Sequence, residues 1–352
     1  MKAALALPAM YKCARVLKAG GPDVVAVVEA PLTDLVAALG PTQVLLRNAF
    51  AGVNFIDTYY RTGLYPKPGG YPYTSGEEGS GAVVKVGDAV DPSVWLGKRV
   101  AFFRAVTGSY ATYSVADLDD LFPVPDGVAD DVAAAVMLQG CTAHYLTHDC
   151  FPCAPGTTVV VHAAAGGTGL LISQMAKQRG ATVVGIVGNA EKAALAKTLG
   201  KCDHVVNYME SAAWPAAVKA LVPGGAHAVF DGVGRTTFEG SLSVLRRRGA
   251  MVSFGNASGA VAPVAPLTLT KHGSVTLQRP KLGDFACKED GEIARRVADV
   301  FAGIAAGWLK VHVGATLPLA SAAAAHELIE SKASFGKILV DCRESAAGPA
   351  SL

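Results

Sequence analysis

The chain has 352 residues, 51% apolar and 17% charged, which excludes a disordered or fibrous polypeptide; at about 100–200 residues per domain, two domains are expected. Thirty-one basic and 29 acidic side chains give a formal net charge of +2, a near balance that offers no field for nucleic acid or a membrane surface. No apolar run reaches the roughly 18 residues needed to span a bilayer, so no membrane partner is expected.

In chain order, MKAALALPAM has the faint look of a signal peptide, but its apolar stretch is short and Pro8 interrupts it. It reads as an extension ahead of the first strand. The first third then offers short strands: YKCARVL, VVAVVEA, QVLLRNAF, GAVVKVG, KRVAFF and ATYSV. The turn stretches GGPD, EAPLTD, GDAVDPS and PDGVAD separate them. Short strands with Gly and Pro punctuation predict a compact, β-rich, barrel-like unit.

The pattern changes near Asp130. DDVAAAVMLQGCTAHYLTH reads as a helix, and a strand–helix alternation follows. TVVVHAA, ATVVGIVG, DHVVNY, AHAVFDGVG and GAMVSFGN are the strands. GTGLLISQMAKQRG, NAEKAALAKTLG, SAAWPAAVKALV and RTTFEGSLSVLRRRG are the intervening helices. Units of this length imply right-handed crossovers and a parallel sheet covered on both faces. Residues 132–271 are therefore expected to form a doubly wound Rossmann domain, with SVTLQ following after a loop. The tail, with helices EIARRVADVFAGIAA and SAAAAHELIES and the strand KILVDC, is expected to fold back, so that residues 1–131 and 272–352 make one discontinuous domain.

The turn after TVVVHAA carries the chemistry. Ala163, Gly166 and Gly169 stand at A-x-x-G-x-x-G spacing between a strand and a helix. Small residues there let the backbone approach a pyrophosphate, and the helix N-terminus offers N–H groups to it. Ala165, Gly166, Gly167, Thr168 and Gly169 are thus expected to bind a dinucleotide. An NAD site carries an acidic residue about 20 residues further on. Here Gly188 and Asn189 hold that position, with Lys192 just beyond. The missing acid removes repulsion toward a 2′-phosphate and the lysine supplies attraction, so the expected cofactor is NADPH. Tyr208, after the third strand, is placed to flank the same phosphate or the adenine.

These residues carry a resemblance to the zinc-free quinone oxidoreductases, the zeta-crystallin group of the medium-chain dehydrogenase/reductase superfamily. NFIDTYYRTGLYP, residues 54–66, is similar to that family's substrate-side signature, GEEGSG to its Gly-Glu turn and HAAAGGTG to its cofactor turn. DGVGRTTFEGSLSVLRRRGAMVSFGNASG and RPKL add to the likeness, which runs from about Tyr11 to Asp341. The resemblance implies a GroES-like catalytic domain beside the Rossmann domain, a homodimer, and reduction of quinones or related conjugated carbonyls. By position, Asn54 and Tyr59 would lie near the nicotinamide and the acceptor. Thr142 would contact the cofactor, and Gly255 and Asn256 would line its nicotinamide end. Gly188-Asn189 departs from the family, which often has a hydroxyl residue there.

Zinc-using relatives place Cys where this chain has Asn54 and His in the turn where it has Glu77. The chain also lacks the cluster of four closely spaced cysteines that holds a structural zinc, and His144, His148 and His162 are scattered. No metal is expected. Without a Lewis acid to polarise an alcohol, hydride delivery to an already electrophilic acceptor is the easier chemistry. Asn54, Tyr59 and Tyr65 are the candidates for orienting the carbonyl or donating a proton; Asp57 reads as structural. An enoyl or alkenal double-bond reductase is the alternative on the same scaffold. A non-catalytic NADPH- or RNA-binding protein is the alternative of another class.

The seven cysteines are odd in number and scattered, which argues for free thiols and a reducing, cytoplasmic location. Cys150 and Cys153 form a lone CxxC with the spacing of a redox pair or half a metal site; no second pair follows, and the reading is against both.

Overall fold

The computed structural model describes residues 6–210 and 213–343. Residues 1–5, on which the signal-peptide reading rests, and the first two residues of the stretch SAAWPAAVKALV lie outside them. The chain forms two compact units, Met1–Leu138 with Val313–Leu352, and Gln139–His312.

The first unit begins with β1 (Met10–Val16) and β2 (Val25–Pro31), paired antiparallel. Burial along β1 alternates only at its start: Tyr11 and Cys13 face one core cluster and Ala14 and Val16 another, so its second half is covered on both faces. EAPLTD is not only a turn: α1 (Leu32–Ala37) starts inside it, because Leu32 and Leu35 share one buried face. Then come β3 (Gln43–Val53), α2 (Phe55–Thr62), β4 (Tyr73–Thr74), β5 (Glu78–Val86), α3 (Pro92–Trp95), β6 (Arg99–Phe103), β7 (Tyr113–Asp117) and β8 (Leu121–Pro123). The long strand β3 is the spine. It pairs antiparallel with β5 and with β7, and near its C-terminal end with the strand that closes the chain. The helix α4 (Asp130–Tyr145) follows.

The second unit holds β9 (Thr158–His162), α5 (Gly167–Gln178), β10 (Thr182–Val187), α6 (Ala190–Thr198), β11 (His204–Asn207), α7 (Trp214–Leu221), β12 (Ala226–Asp231), α8 (Phe238–Ser243), β13 (Leu245–Ser253), α9 (Pro266–Lys271), β14 (Thr276–Gln278) and α10 (Glu292–Ala305). Its sheet runs β11-β10-β9-β12-β13-β14, every pair parallel. Four of the five residues of β9 are buried in succession, as expected of a strand covered on both faces. Strand order reverses between β9 and β12, which makes the C-terminal ends of these strands the topological switch point of a doubly wound sheet. The chain then returns to the first unit as β15 (Val313–Pro318), α11 (Ala322–Glu330) and β16 (Lys337–Asp341), with β16 antiparallel to β3.

Two sequence expectations differ from this fold. RTTFEGSLSVLRRRG is helical only over Phe238–Ser243, and Leu245 already belongs to β13. Leu245 pairs with Ala226 and packs among the sheet's buried residues. Arg246, Arg247 and Arg248 lie exposed where the register shifts, and Arg248 takes φ 60°. The unit boundaries fall at 138/139 and 312/313, where the sequence suggested 131/132 and 271/272. Asp130 and Leu138 stay with the first unit because Ser80 Oγ donates to the Asp130 carbonyl (2.7 Å) and the Leu138 N–H to Glu78 Oε2 (2.6 Å). Residues beyond 271 belong to the second because β14 extends its sheet and Arg296 of α10 bonds Asp149 at 2.6 Å.

Candidate functional site

In the second unit, the turn between β9 and α5 lies at the switch point. Gly166 donates its N–H to the Ala163 carbonyl at 2.8 Å, closing the turn. Ala163 takes φ 49°, a left-handed conformation that costs a non-glycine residue energy. A Cβ on Gly169 would run into that same Ala163 carbonyl oxygen, so glycine is required for the helix to sit against the end of its strand. Gly166 caps α5 without any side-chain hydrogen bond, and the first N–H groups of a helix have no intrahelical acceptor. Gly166, Gly167 and Thr168 are half-buried, while Ala164 and Ala165 are buried. The result is a positively polarised helix end with no side-chain cap on Gly166, against which the Gln139 side chain packs so closely that a Cβ on Gly167 would collide with its Oε1.

The neighbouring strand ends also carry glycines. At β10, Gly188 lies so close to Tyr208 that a Cβ there would sit 2.5 Å from the phenolic oxygen; this brings Tyr208, after β11, to the tip of β10. Asn189 caps α6 by accepting the Lys192 N–H at 2.8 Å, so its amide has a structural task. The Lys192 ammonium is partly buried, which holds it below its usual range. At β12 and β13, Gly232 and Gly255 approach so closely that a Cβ on Gly255 would meet the Gly232 carbonyl, and Asn256 follows. The structure therefore gathers Ala165, Gly166, Gly167, Thr168, Gly169, Asn189, Lys192, Tyr208, Gly255 and Asn256 at the C-terminal edge of one parallel sheet. Thr142 is apart from them in chain, buried on α4. A tight glycine turn at the switch point, leading into a helix whose first residue has no side-chain cap, fits a dinucleotide pyrophosphate.

Beneath the switch point, His162 Nε2 lies 2.9 Å from Ser241 Oγ, which donates to Asp231 Oδ2 at 2.9 Å. The membership is that of a hydrolytic triad, but the order is wrong. The serine proton points to Asp231, so the hydroxyl accepts from His162 Nε2–H and cannot be activated by it. The set ties β9, β12 and α8 together. His144 is likewise structural: Arg296 donates to its Nδ1 (3.0 Å), its Nε2–H faces Asp299 (3.0 Å), and burial pulls its pKa to about 4. Cys150 and Cys153 are buried free thiols with pKa values pushed up to about 12 by burial, far from the thiolate form that redox or metal chemistry needs.

In the first unit, Asn54 and Asp57 form a reciprocal capping box at the start of α2. The Asn54 side chain is held on three sides. Its Nδ2 donates to Glu78 Oε1 (2.7 Å) and to the Gly52 carbonyl (3.2 Å), and its Oδ1 accepts from Lys337 Nζ (2.8 Å). Lys337 also donates to Glu78 Oε1 at 2.6 Å. All three are at most 2% exposed, so this is a buried ion pair with every near neighbour engaged. The sequence reading missed both Lys337 and the role of Glu78. Tyr59 and Tyr65 are half-buried, their rings 5.1 Å apart and edge-on. Asp57 is fully buried. Its Oδ2 accepts from the Asn54 N–H and the Tyr110 hydroxyl, both at 2.9 Å, while its Oδ1 has no partner. Burial, then the nearby Glu77 charge, push its pKa up to about 7.

Zinc does not fit this donor set. An amide, one carboxylate and an ammonium do not supply the tetrahedral Cys and His ligands that zinc prefers, and among the described residues no group of three or more His, Cys, Asp or Glu could hold a metal. Among them, too, no helix is long and apolar enough to cross a membrane.

Comparison with known proteins accords with this geometry. Residues 40–126 match the alcohol dehydrogenase GroES-like domain family, and residues 167–287 the zinc-binding dehydrogenase family. A quinone oxidoreductase from Pseudomonas aeruginosa is 39% identical over 86% of this chain and 91% of its own length. A 2-haloacrylate reductase from a Burkholderia species is 36% identical over 94% of this chain and 99% of its own. The structure of Escherichia coli quinone oxidoreductase complexed with NADPH superimposes with a TM-score of 0.87 at 37% identity, covering 94% of this chain and 99% of that one.

Proposed function

The chain belongs to the quinone oxidoreductase family of the medium-chain dehydrogenase/reductase superfamily, and from that premise we propose that it passes reducing equivalents from NADPH to quinones or related conjugated carbonyls. It is an oxidoreductase with a GroES-like and a Rossmann domain. The observation that carries the cofactor reading is the turn at residues 163–169, where a Cβ on Gly169 would press on the Ala163 carbonyl and the helix that follows has no side-chain cap.

Bound NADPH would supply the hydride; the chain supplies position and a proton. The N–H groups of Gly166, Gly167 and Thr168 would hold the pyrophosphate, and Gly255 and Asn256 the nicotinamide end. Lys192 and Tyr208 would take the 2′-phosphate. No carboxylate at the β10 tip opposes that charge, since Asn189 is neutral. Replacing Lys192 by Ala should weaken NADPH about tenfold or more while leaving NADH nearly unchanged, a loss of ~1.4 kcal/mol. Equal weakening of both would remove Lys192 from the phosphate site.

Tyr59 and Tyr65 would orient the acceptor carbonyl and donate to the oxygen on which negative charge develops. Asn54 would act through position, since its amide is already engaged by Glu78 and Lys337. A quinone accepts hydride without prior polarisation, because its product anion is delocalised. That matches a site whose buried cation, Lys337, is spent on Glu78.

A second reading has one observation in its favour. A relative of 36% identity is named 2-haloacrylate reductase, so reduction of an activated carbon–carbon double bond is the alternative on this scaffold. Comparing kcat/KM for naphthoquinones and for enones decides between them; higher efficiency on enones would reverse the order. The cytoplasmic location and homodimeric state that we propose rest on the free cysteines and on the family likeness, and light scattering of the purified protein tests the dimer.

A further inference from the structure

The loop 63–70, which carries Tyr65, is bounded by glycines. It leaves α2 through Gly63 at φ 77° and ends at Gly69 and Gly70, at φ 82° and 72°, with nothing within 4 Å of where their Cβ atoms would be. Leu64 is 45% exposed. Its backbone ties include Gly63 N–H to the Tyr60 carbonyl (3.2 Å), Tyr65 N–H to the Tyr59 carbonyl (3.1 Å) and Gly70 N–H to the Lys67 carbonyl (3.0 Å).

One side chain of this loop reaches inward. Lys67 Nζ lies 2.9 Å from Glu77 Oε1, with the two side chains only 21% and 16% exposed. The same ammonium sits 4.5 Å from the centroid of the Tyr60 ring and 5.2 Å from that of Tyr73. An ion pair at an exposed surface contributes little. A half-buried one sharing its cation with two aromatic faces holds its geometry better. Tyr60 also links the latch to the tyrosine pair, since its ring is 6.5 Å from Tyr65.

We propose that Lys67 is a positioning residue, a latch whose ion pair with Glu77 between the rings of Tyr60 and Tyr73 holds loop 63–70 down and keeps Tyr65 edge-on to Tyr59. The proposal rests on the reading that these two phenols face the electron acceptor. It adds that acceptor affinity is set from a residue that does not touch the acceptor.

The test uses the full-length protein and the variants Lys67→Ala and Lys67→Arg. It reads quinone KM and kcat with a naphthoquinone, NADPH Kd by nicotinamide fluorescence, and amide hydrogen exchange of residues 63–70. In Lys67→Ala, quinone KM should rise about tenfold (~1.4 kcal/mol) with NADPH Kd unchanged, and exchange in the loop should accelerate by a similar factor. Lys67→Arg, which keeps the charge and the cation–π contact, should return both to near the parent values. Unchanged exchange in Lys67→Ala overturns the latch, and so does faster exchange with an unmoved KM. If the parent protein reduces no quinone at all, the functional reading fails by itself, and the exchange rates still decide whether Lys67 holds the loop.

Discussion

Asp57 shows how one side chain can carry a pH dependence. Its pKa, about 7, stands far above the usual carboxylate value because the group is fully buried and Glu77 is near. Below about pH 4 the folded and unfolded chains both hold the proton. As pH rises from there to about 7, the unfolded chain releases it and the folded chain keeps it, so stability falls across that window. Above pH 7 the folded carboxyl ionises too and the loss is complete. Asp57→Asn should escape this. An amide oxygen can accept from both the Asn54 N–H and the Tyr110 hydroxyl, which now meet on Oδ2. The variant's Tm should therefore gain on the parent's as pH goes from 5 to 7.5, and a constant difference in Tm would refute the burial argument. Gly169→Ala makes the complementary steric case. Its Cβ would press on the Ala163 carbonyl, and overpacking of this kind costs about 1–3 kcal/mol; thermal melts check it.

Among the elements, the junction of α2, β5 and β16 depends on Lys337 and Glu78. Removing one partner of a buried ion pair typically costs about 3–5 kcal/mol, whereas replacing both by neutral groups of similar volume is far milder. Lys337→Met should thus be strongly destabilised, and Lys337→Met with Glu78→Gln should recover most of the loss. Denaturant unfolding measures both; a double variant no better than the single would mean that packing, not charge, is at stake. This pair also marks what a sequence can and cannot display. Asn54 stood out within a recognisable motif, and Glu78 lay in plain view in GEEGSG. Lys337 is 283 residues from Asn54, and nothing in GKILVDC signals that its ammonium is turned inward. The misread end of RTTFEGSLSVLRRRG has a local cause: Leu and Arg suit a helix by propensity, but the parallel neighbour of Leu245 decides otherwise.

Across the whole molecule, the doubly wound sheet was legible because each β–α unit repeats one physical pattern, an apolar strand followed by a helix that must cover it. Where that rhythm stops, after β13, the reading lost the second unit's last 41 residues, since a three-residue edge strand and the helix α10 carry no such pattern. The glycine turn was legible for a different reason: backbone contact with a large ligand requires the absence of side chains, and absence shows in a sequence. The account's central claim is that NADPH docks on this turn and reduces a quinone. Gly166 offers the sharpest probe. Its φ of −76° suits any residue, and a Cβ there would meet only the Ala163 carbonyl oxygen, at 3.2 Å, so Gly166→Val should fold while covering the phosphate seat. The decisive measurement is steady-state oxidation of NADPH by a naphthoquinone, comparing the parent with Gly166→Val at matched Tm. The parent should turn over and the variant should lose about a hundredfold in kcat/KM for NADPH, ~2.7 kcal/mol; an inert parent, or a variant as active as the parent, would contradict the claim.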